Sequence, residues 1–224
     1  MMIDLRKIPT RWINLDSAKF NATEMEKQFS AIGFTETKRI PGRVIPAPTN
    51  PNPTLAKAFG SHFVGCGQSH IDCFADCSSV PLLILEDDAK ITSDFTPTFE
   101  IPDGTDAVYL GVSHGNPKMI VVDMDKMWCR VFGMLATHAI LYTSERYATY
   151  AKEMIRNCIY DLKIPLDMGF AQAQRQFNII AARHPMFVQS DLREGANKWE
   201  KYTNKPLRAT HALDSQKRLM PIRK

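Results

Sequence analysis

Three consecutive carboxylates, Glu86-Asp87-Asp88, follow directly on the apolar run Val80-Pro81-Leu82-Leu83-Ile84-Leu85. Like charges this close disfavour one another's ionised form, so the cluster calls for a compensating partner. A divalent cation fits. Mg2+ and Mn2+ take oxygen ligands, commonly one or two carboxylates completed by substrate phosphates. The run ahead of the acids reads as a buried strand, and ligand crevices in open α/β sheets lie at strand carboxyl ends. An acidic surface turn is the competing reading. A second acidic pair, Asp123 and Asp125, follows the short apolar pair Val121-Val122 and is itself followed by Lys126. It reads as a turn.

Cys66, His70, Cys73 and Cys77 also have the chemistry of metal ligands. Their spacing of i, i+4, i+7 and i+11 is one stripe of a helix. The ends of such a stripe lie roughly 16 Å apart at 1.5 Å rise per residue, so all of them cannot meet on one zinc ion. The stripe reads as small residues packing a helix against a core, with a local zinc site as the alternative. The five cysteines are an odd count, which argues against a disulfide framework.

The elements that must position these groups alternate between strand and helix. Arg11 to Leu15 reads as a strand, and Ala22 to Ile32 as a helix capped by Gly33. Phe59 to Cys77 reads as a helix, Val80 to Leu85 and Asp106 to Val112 as strands, and Val131 to Tyr142 as one long strand. Ser144 suits the N-cap of a helix reaching Cys158. A further helix is expected over Asp167 to Phe177, and a strand broken by Pro185 over Ile179 to Gln189. The stretch Pro41 to Pro53 holds five prolines and forms neither helix nor central strand. It reads as a long surface loop of the kind that often serves binding. The alternation predicts an α/β fold, a central sheet flanked by helices.

The chain of 224 residues fits one domain, 1–206, with a basic tail, 207–224. The tail carries Arg208, Lys217, Arg218, Arg223 and Lys224 against the single acid Asp214. Such a tail contacts phosphate or anionic lipid, or is simply solvated. The formal net charge of +4 is too small to diagnose nucleic acid. No apolar run approaches the roughly 20 residues that cross a bilayer, and Met1 to Thr10 lacks the apolar core of a signal peptide. The expected location is cytoplasmic. No P-loop, G-x-G-x-x-G, H-E-x-x-H or G-x-S-x-G pattern is present to suggest other common chemistries.

Gly65-Cys66-x-x-Ser69-His70, taken with Leu83-Ile84-Leu85-Glu86-Asp87-Asp88, resembles the family 25 glycosyltransferases. That family includes lipopolysaccharide, lipooligosaccharide and collagen galactosyltransferases. Further fragments follow in the family's order: Ile13-Asn14-Leu15-Asp16, Arg39-Ile40-Pro41-Gly42, Thr137-His138-Ala139-Ile140-Leu141-Tyr142-Thr143-Ser144, Pro165-Leu166-Asp167 and Pro185-x-x-Val188-Gln189. The chain departs from the pattern where Ser17-Ala18-Lys19 follows Asp16 in place of basic residues and Arg, where Ala136 replaces a Gly, and in the proline-rich loop.

The resemblance implies a GT-A-like fold, a nucleotide-diphosphate sugar as donor (a UDP-hexose, galactose or glucose), Mn2+ or Mg2+, and inversion at the anomeric carbon. On this reading Glu86 and Asp88 hold the metal, with His138 either a core histidine or a pocket group beside it. Asp87 sits at the reacting centre or on the ribose, and Asp167 is the base that deprotonates the acceptor hydroxyl. Asn14, Asp16, Arg39, Ser69, His70 and Gln189 contact the donor or acceptor. Arg43 is a further candidate for phosphate. The expected acceptor is a lipopolysaccharide or other glycan, with peripheral membrane contact through the tail. The alternative is a hydroxymethylated base in DNA, flipped into the pocket and bound with steep salt dependence. A non-catalytic nucleotide-sugar-binding module and a metal-dependent nuclease or phosphatase are the readings of other classes.

Overall fold

The structure, a computed structural model, describes residues 1–46, 61–190 and 203–210. In chain order the strands are β1 (Met2–Asp4), β2 (Thr10–Asn14), β3 (Thr37–Pro41), β4 (Leu82–Glu86), β5 (Ala89–Ile91), β6 (Thr98–Glu100), β7 (Ala107–Tyr109), β8 (Ile120–Asp123), β9 (Trp128–Phe132), β10 (Ala139–Tyr142), β11 (Ile179–Ala182) and β12 (Phe187–Gln189). The α-helices are α1 (Lys19–Ile32), α2 (Ser61–Asp76), α3 (Glu145–Asn157) and α4 (Leu166–Ala173). Eight strands form a mixed sheet in the order β3-β2-β4-β10-β7-β11-β9-β8, and β1-β6 and β12-β5 are two-stranded ribbons.

The sheet separates two cores. Leu82 and Ile84 of β4 point into one, and Leu83 and Leu85 into the other. A strand covered on both faces has no solvent side, so it reads as continuously apolar. None of these four side chains is more than 1% exposed, and burial of each stabilises the fold by about 1.5–3 kcal/mol. Helix α1 packs on one face through Met25 and Phe29. Helix α2 packs on the other through Val64, Cys73 and Phe74, beside α3 and α4.

This arrangement fixes the place of a crevice. β3 and β4 flank β2 on opposite sides, and both run parallel to it. The connection through α1 covers one face and the connection through α2 the other. The carboxyl end of β2 is therefore the point where the strand order reverses, the usual seat of a ligand in an open α/β sheet. Asn14, Pro41 and Glu86 end their strands there. β10 runs antiparallel to β4, so the residues that lead into it, Thr137 and His138, arrive at the same edge.

The caps follow the local sequence. Gly33 ends α1 at φ +85°, with its N–H on the Phe29 carbonyl. Ser144 Oγ accepts from the Tyr147 N–H at the start of α3. Two expectations are corrected. The single strand expected over 131–142 is two strands, because β9 pairs with β8 and β11 while β10 lies between β4 and β7. Gln174 fixes the loop between them by holding both the N–H and the C=O of Met134, each at 2.8 Å. The helix expected to Phe177 ends at Ala173, and Gln176 and Phe177 form turns whose N–H groups return to the Ala173 carbonyl.

Pro41 closes β3, and 42–46 runs on against α2; the rest of the proline-rich loop, and Phe59 at the expected start of the helix, lie outside the described residues. So do Lys217, Arg218, Arg223 and Lys224 of the basic tail. The start of that tail is docked. Leu207 is 1% exposed, and the Thr210 N–H donates to the Val121 carbonyl at 2.9 Å.

Helix α2 approaches the 42–46 segment closely enough that a Cβ on Gly65 would overlap the Arg43 carbonyl oxygen. Gly65→Ala is expected to push the segment off the helix and to destabilise the fold by about 1–3 kcal/mol. Denaturant unfolding against the wild type measures the loss.

Candidate functional site

Glu86 is the hub of the crevice. Its Oε1 accepts from Thr137 Oγ1 at 2.6 Å, lies 3.2 Å from His70 Nε2 and lies 3.8 Å from Cys66 Sγ. Burial alone would raise its pKa, but the hydrogen bonds from His70 and Thr137, with the electrostatic influence of the nearby imidazoles, together outweigh burial and hold the carboxyl below its usual value. His70 is fully buried, and its Nε2 faces the Glu86 carboxylate. Ser69 is fully buried as well. Its Oγ donates to the Gly65 carbonyl at 2.7 Å and accepts from the Arg43 N–H at 2.9 Å. It clasps the segment after β3 to α2 and so builds a wall of the crevice.

The other two acids differ from Glu86. Asp87 Oδ2 accepts from Asn14 Nδ2 at 2.6 Å. Arg39 donates through Nε to Asn14 Oδ1 at 2.9 Å and through Nη2 to Asp16 Oδ1 at 2.5 Å. Asp16, Arg39, Asn14 and Asp87 thus form one chain of hydrogen bonds along the crevice rim. Asp88 Oδ2 accepts from Gln189 Nε2 at 2.8 Å, a contact made possible by the β5–β12 ribbon that pairs Ala89 with Gln189. Asp88 Oδ1 is shut off from solvent and has no hydrogen-bond partner among the described residues. Burial first, and Glu86 second, push the Asp88 carboxyl well above its usual pKa. Burial also raises Asp87, against the bond from Asn14.

Asp167 lies in the first turn of α4 and accepts from the Met168 N–H at 2.8 Å. Its pKa is raised by burial and, further down, by the charge of Glu86. Cys66 is raised by burial and by Glu86, Asp88 and Asp167 in turn. These groups from β4, α2 and α4 therefore share one electrostatic neighbourhood. His138 is 2% exposed, its Nε2 lacks a partner, and burial lowers its pKa. It packs where a Cβ on Gly111 would strike the ring, and it has the environment of a core histidine whose backbone carbonyl receives the Glu86 N–H.

A cleft of about 220 Å³ opens among Asn14, Gly42, Arg43, Cys66, Glu86 and Asp87, with apolar walls from Ile13, Leu15 and Val44. Leu15 and Val44 are exposed. A wider hollow of about 540 Å³ lies at Asp123, Asp125 and Arg183. Its acids are already engaged. Asp123 pairs with Arg183 at 2.9 Å, and Asp125 Oδ1 accepts from the Met127 and Trp128 N–H groups. Asp123 ends β8 and pairs with Cys129 of β9, and Asp125 lies in the turn between the two strands.

Among the described residues, the ligand atoms of Cys66, His70 and Glu86 lie within 4.8 Å of one another and could hold a metal ion. Asp88 and His138 stand outside this group. The sequence reading places Cys66 in helix packing, with a local zinc site as the alternative, and gives Thr137 no role. The i, i+4 step from Cys66 to His70 was the visible signal for the first, and Thr137 beside His138 for the second. No family model matches the chain, and no curated protein matches it.

The folded state holds the Asp88 proton more tightly than the unfolded chain does. In the cation-free protein, stability from this group is therefore full below the ordinary carboxylate pKa of ~3.9 and is lost as pH rises through the raised value. Asp88→Asn keeps an acceptor for Gln189 and removes the buried charge. It is expected to raise cation-free stability by about 1 kcal/mol near neutral pH, with the advantage shrinking in acid, and to reduce the thermal shift given by Mn2+. Melts with chelator and with Mn2+ across pH test both effects.

Proposed function

We propose that this chain is a glycosyltransferase of the GT-A type, similar to family 25, that moves a hexose from a nucleotide-diphosphate sugar to a hydroxyl acceptor. One observation carries the reading. Residues scattered from Asn14 to Gln189, the same ones that resemble the family's fragments, meet at the reversal point of the sheet around one acidic rim.

The donor set fits a divalent cation. Asp88 Oδ1 is a buried carboxyl oxygen without a partner among the described residues, which a cation would draw into its ionised form, and Asp87 borders the cleft. A divalent cation held there supplies Lewis-acid neutralisation of the diphosphate as it leaves. Glu86, engaged by Thr137 and His70, sets the direction of the strand end that presents the two aspartates. Asn14 fixes Asp87, and Gln189 fixes Asp88. Leu15 and Val44 offer apolar surface for a nucleobase, and Arg43, whose Nε is held by Asp72 at 2.6 Å, has its remaining N–H groups to offer phosphate.

In the transfer step the acceptor oxygen bonds to the anomeric carbon, the bond to the diphosphate oxygen breaks, and the acceptor proton passes to Asp167. A carboxyl whose pKa is raised by burial is a stronger base than an exposed aspartate once ionised. Held orientation of both substrates supplies the rest.

A panel of nucleotide sugars with Mn2+ or Mg2+ is expected to give nucleoside-diphosphate release from one donor, with Asp88→Ala slower by about 10²–10³-fold. Asp167→Asn is expected to slow transfer by about 10²–10⁴-fold while leaving donor binding intact. Glycan and hydroxymethylated-DNA acceptors, tested side by side, identify the acceptor. Phosphodiester cleavage without sugar transfer would overturn the proposal in favour of nuclease chemistry, and donor binding without turnover in favour of a binding module.

A further inference from the structure

Hard cations leave one part of the crevice unexplained. Cys66 and His70 sit one turn apart on α2, and both side chains are directed at the carboxylate that ends β4. Mg2+ and Mn2+ favour oxygen and have little use for a thiolate. A thiolate, an imidazole and a carboxylate together form the donor set of a zinc-type ion.

The distances fit that ion. With Zn–S near 2.3 Å and Zn–N and Zn–O near 2.0–2.2 Å, the edges of a tetrahedron are roughly 3.4 Å for N···O and roughly 3.6 Å for S···O. His70 Nε2 lies 3.2 Å from Glu86 Oε1, and Cys66 Sγ lies 3.8 Å from the same oxygen. Two edges of a coordination tetrahedron are thus close to their ideal lengths, and the third, between Cys66 and His70, closes within 4.8 Å. Gly65 lets α2 pack closely on the 42–46 segment that borders the same cleft, and Thr137 Oγ1 holds the carboxylate oxygen at 2.6 Å.

We infer that Cys66, His70 and Glu86 bind a thiophilic divalent cation of the zinc class, separate from the oxygen-liganded cation at Asp88. With Cys66 as thiolate and Glu86 as carboxylate, a dication leaves the filled site without net charge towards a second ion nearby. Binding replaces the S–H proton of Cys66 by a metal–sulfur bond and that proton leaves to solvent, while His70 binds through Nε2 as the neutral imidazole with its one ring proton on Nδ1. Cys66 and Glu86 both line the cleft, so the fourth coordination position faces it. The Cys66 stripe supplies one protein sulfur only, since Cys73 and Cys77 are buried in the core beneath.

The site is independent of the transferase reading, and cobalt substitution separates the two. Chelator-treated full-length protein is titrated with Co2+. The expected result is one equivalent bound with thiolate-to-cobalt charge-transfer absorption in the near ultraviolet and intense visible bands of four-coordinate cobalt, both displaced by Zn2+ and not by Mg2+. Cys66 is half-exposed and the other four cysteines are buried, so the wild-type band in folded protein reports Cys66 even if a variant at that position does not fold. Cys66→Ser loses the band, Cys73→Ser keeps it, and Asp88→Asn keeps it whether or not transfer is ever detected. Cobalt bound without a thiolate band, no cobalt bound, or a band that survives in Cys66→Ser would overturn the assignment.

Discussion

Glu86 ends a strand buried on both faces, and the sheet leaves it no freedom to turn away. Its neighbours Leu83, Ile84 and Leu85 are locked into opposite cores, and its N–H is held by the His138 carbonyl at 3.0 Å. The carboxylate is therefore delivered, half-buried, to the reversal point of the strand order. Burial of an unpaired charge costs several kcal/mol, and here Thr137 and His70 offset that cost. They leave the next two residues, Asp87 and Asp88, at the rim with less complete pairing. The rest of the crevice serves this one constraint.

Each supporting element reaches Glu86 or its neighbours through a specific contact. Helix α2 contributes Cys66 and His70, and its packing distance is set by Gly65 against Arg43. β2 contributes Asn14, which joins Asp87 to Arg39 and Asp16. The β5–β12 ribbon contributes Gln189. Because Asp88 keeps a buried oxygen with no partner among the described residues, the metal-free rim is a place where stability is given up. Such local cost is common at functional sites, where charge is arranged for a ligand and not for the fold.

Much of this was legible in the chain. The apolar run before Glu86 had to be covered on both faces, which placed the acids at a strand end. Gly33 and Ser144 announced helix limits that the structure keeps. Other features were not legible, for physical reasons. β1, β5 and β6 have only three residues each, too few to show alternation, and they are stabilised by tertiary pairing. The run from Val131 to Tyr142 is apolar but for Gly133, Thr137 and His138 because both of its strands are buried, so its hydropathy hid the break between them. The meeting of Cys66 with Glu86 depends on the pitch at which α2 crosses the sheet, which helical spacing alone does not encode. Arg39 and Asp16 looked like ligand contacts, and the structure shows that they also hold Asn14 in place. No helix among the described residues is long and apolar enough to cross a membrane.

The central claim is that the acids after β4, and not those after β8, gather a dication at the carboxyl end of β2. Paramagnetic broadening of backbone amide signals by sub-stoichiometric Mn2+ in the presence of a nucleoside diphosphate tests it most directly. Signals of Asn14, Asp87, Asp88 and Gln189 should vanish first while those of Asp123 and Asp125 persist. Broadening centred on Asp123 and Asp125, or spread evenly over the surface, would contradict the account.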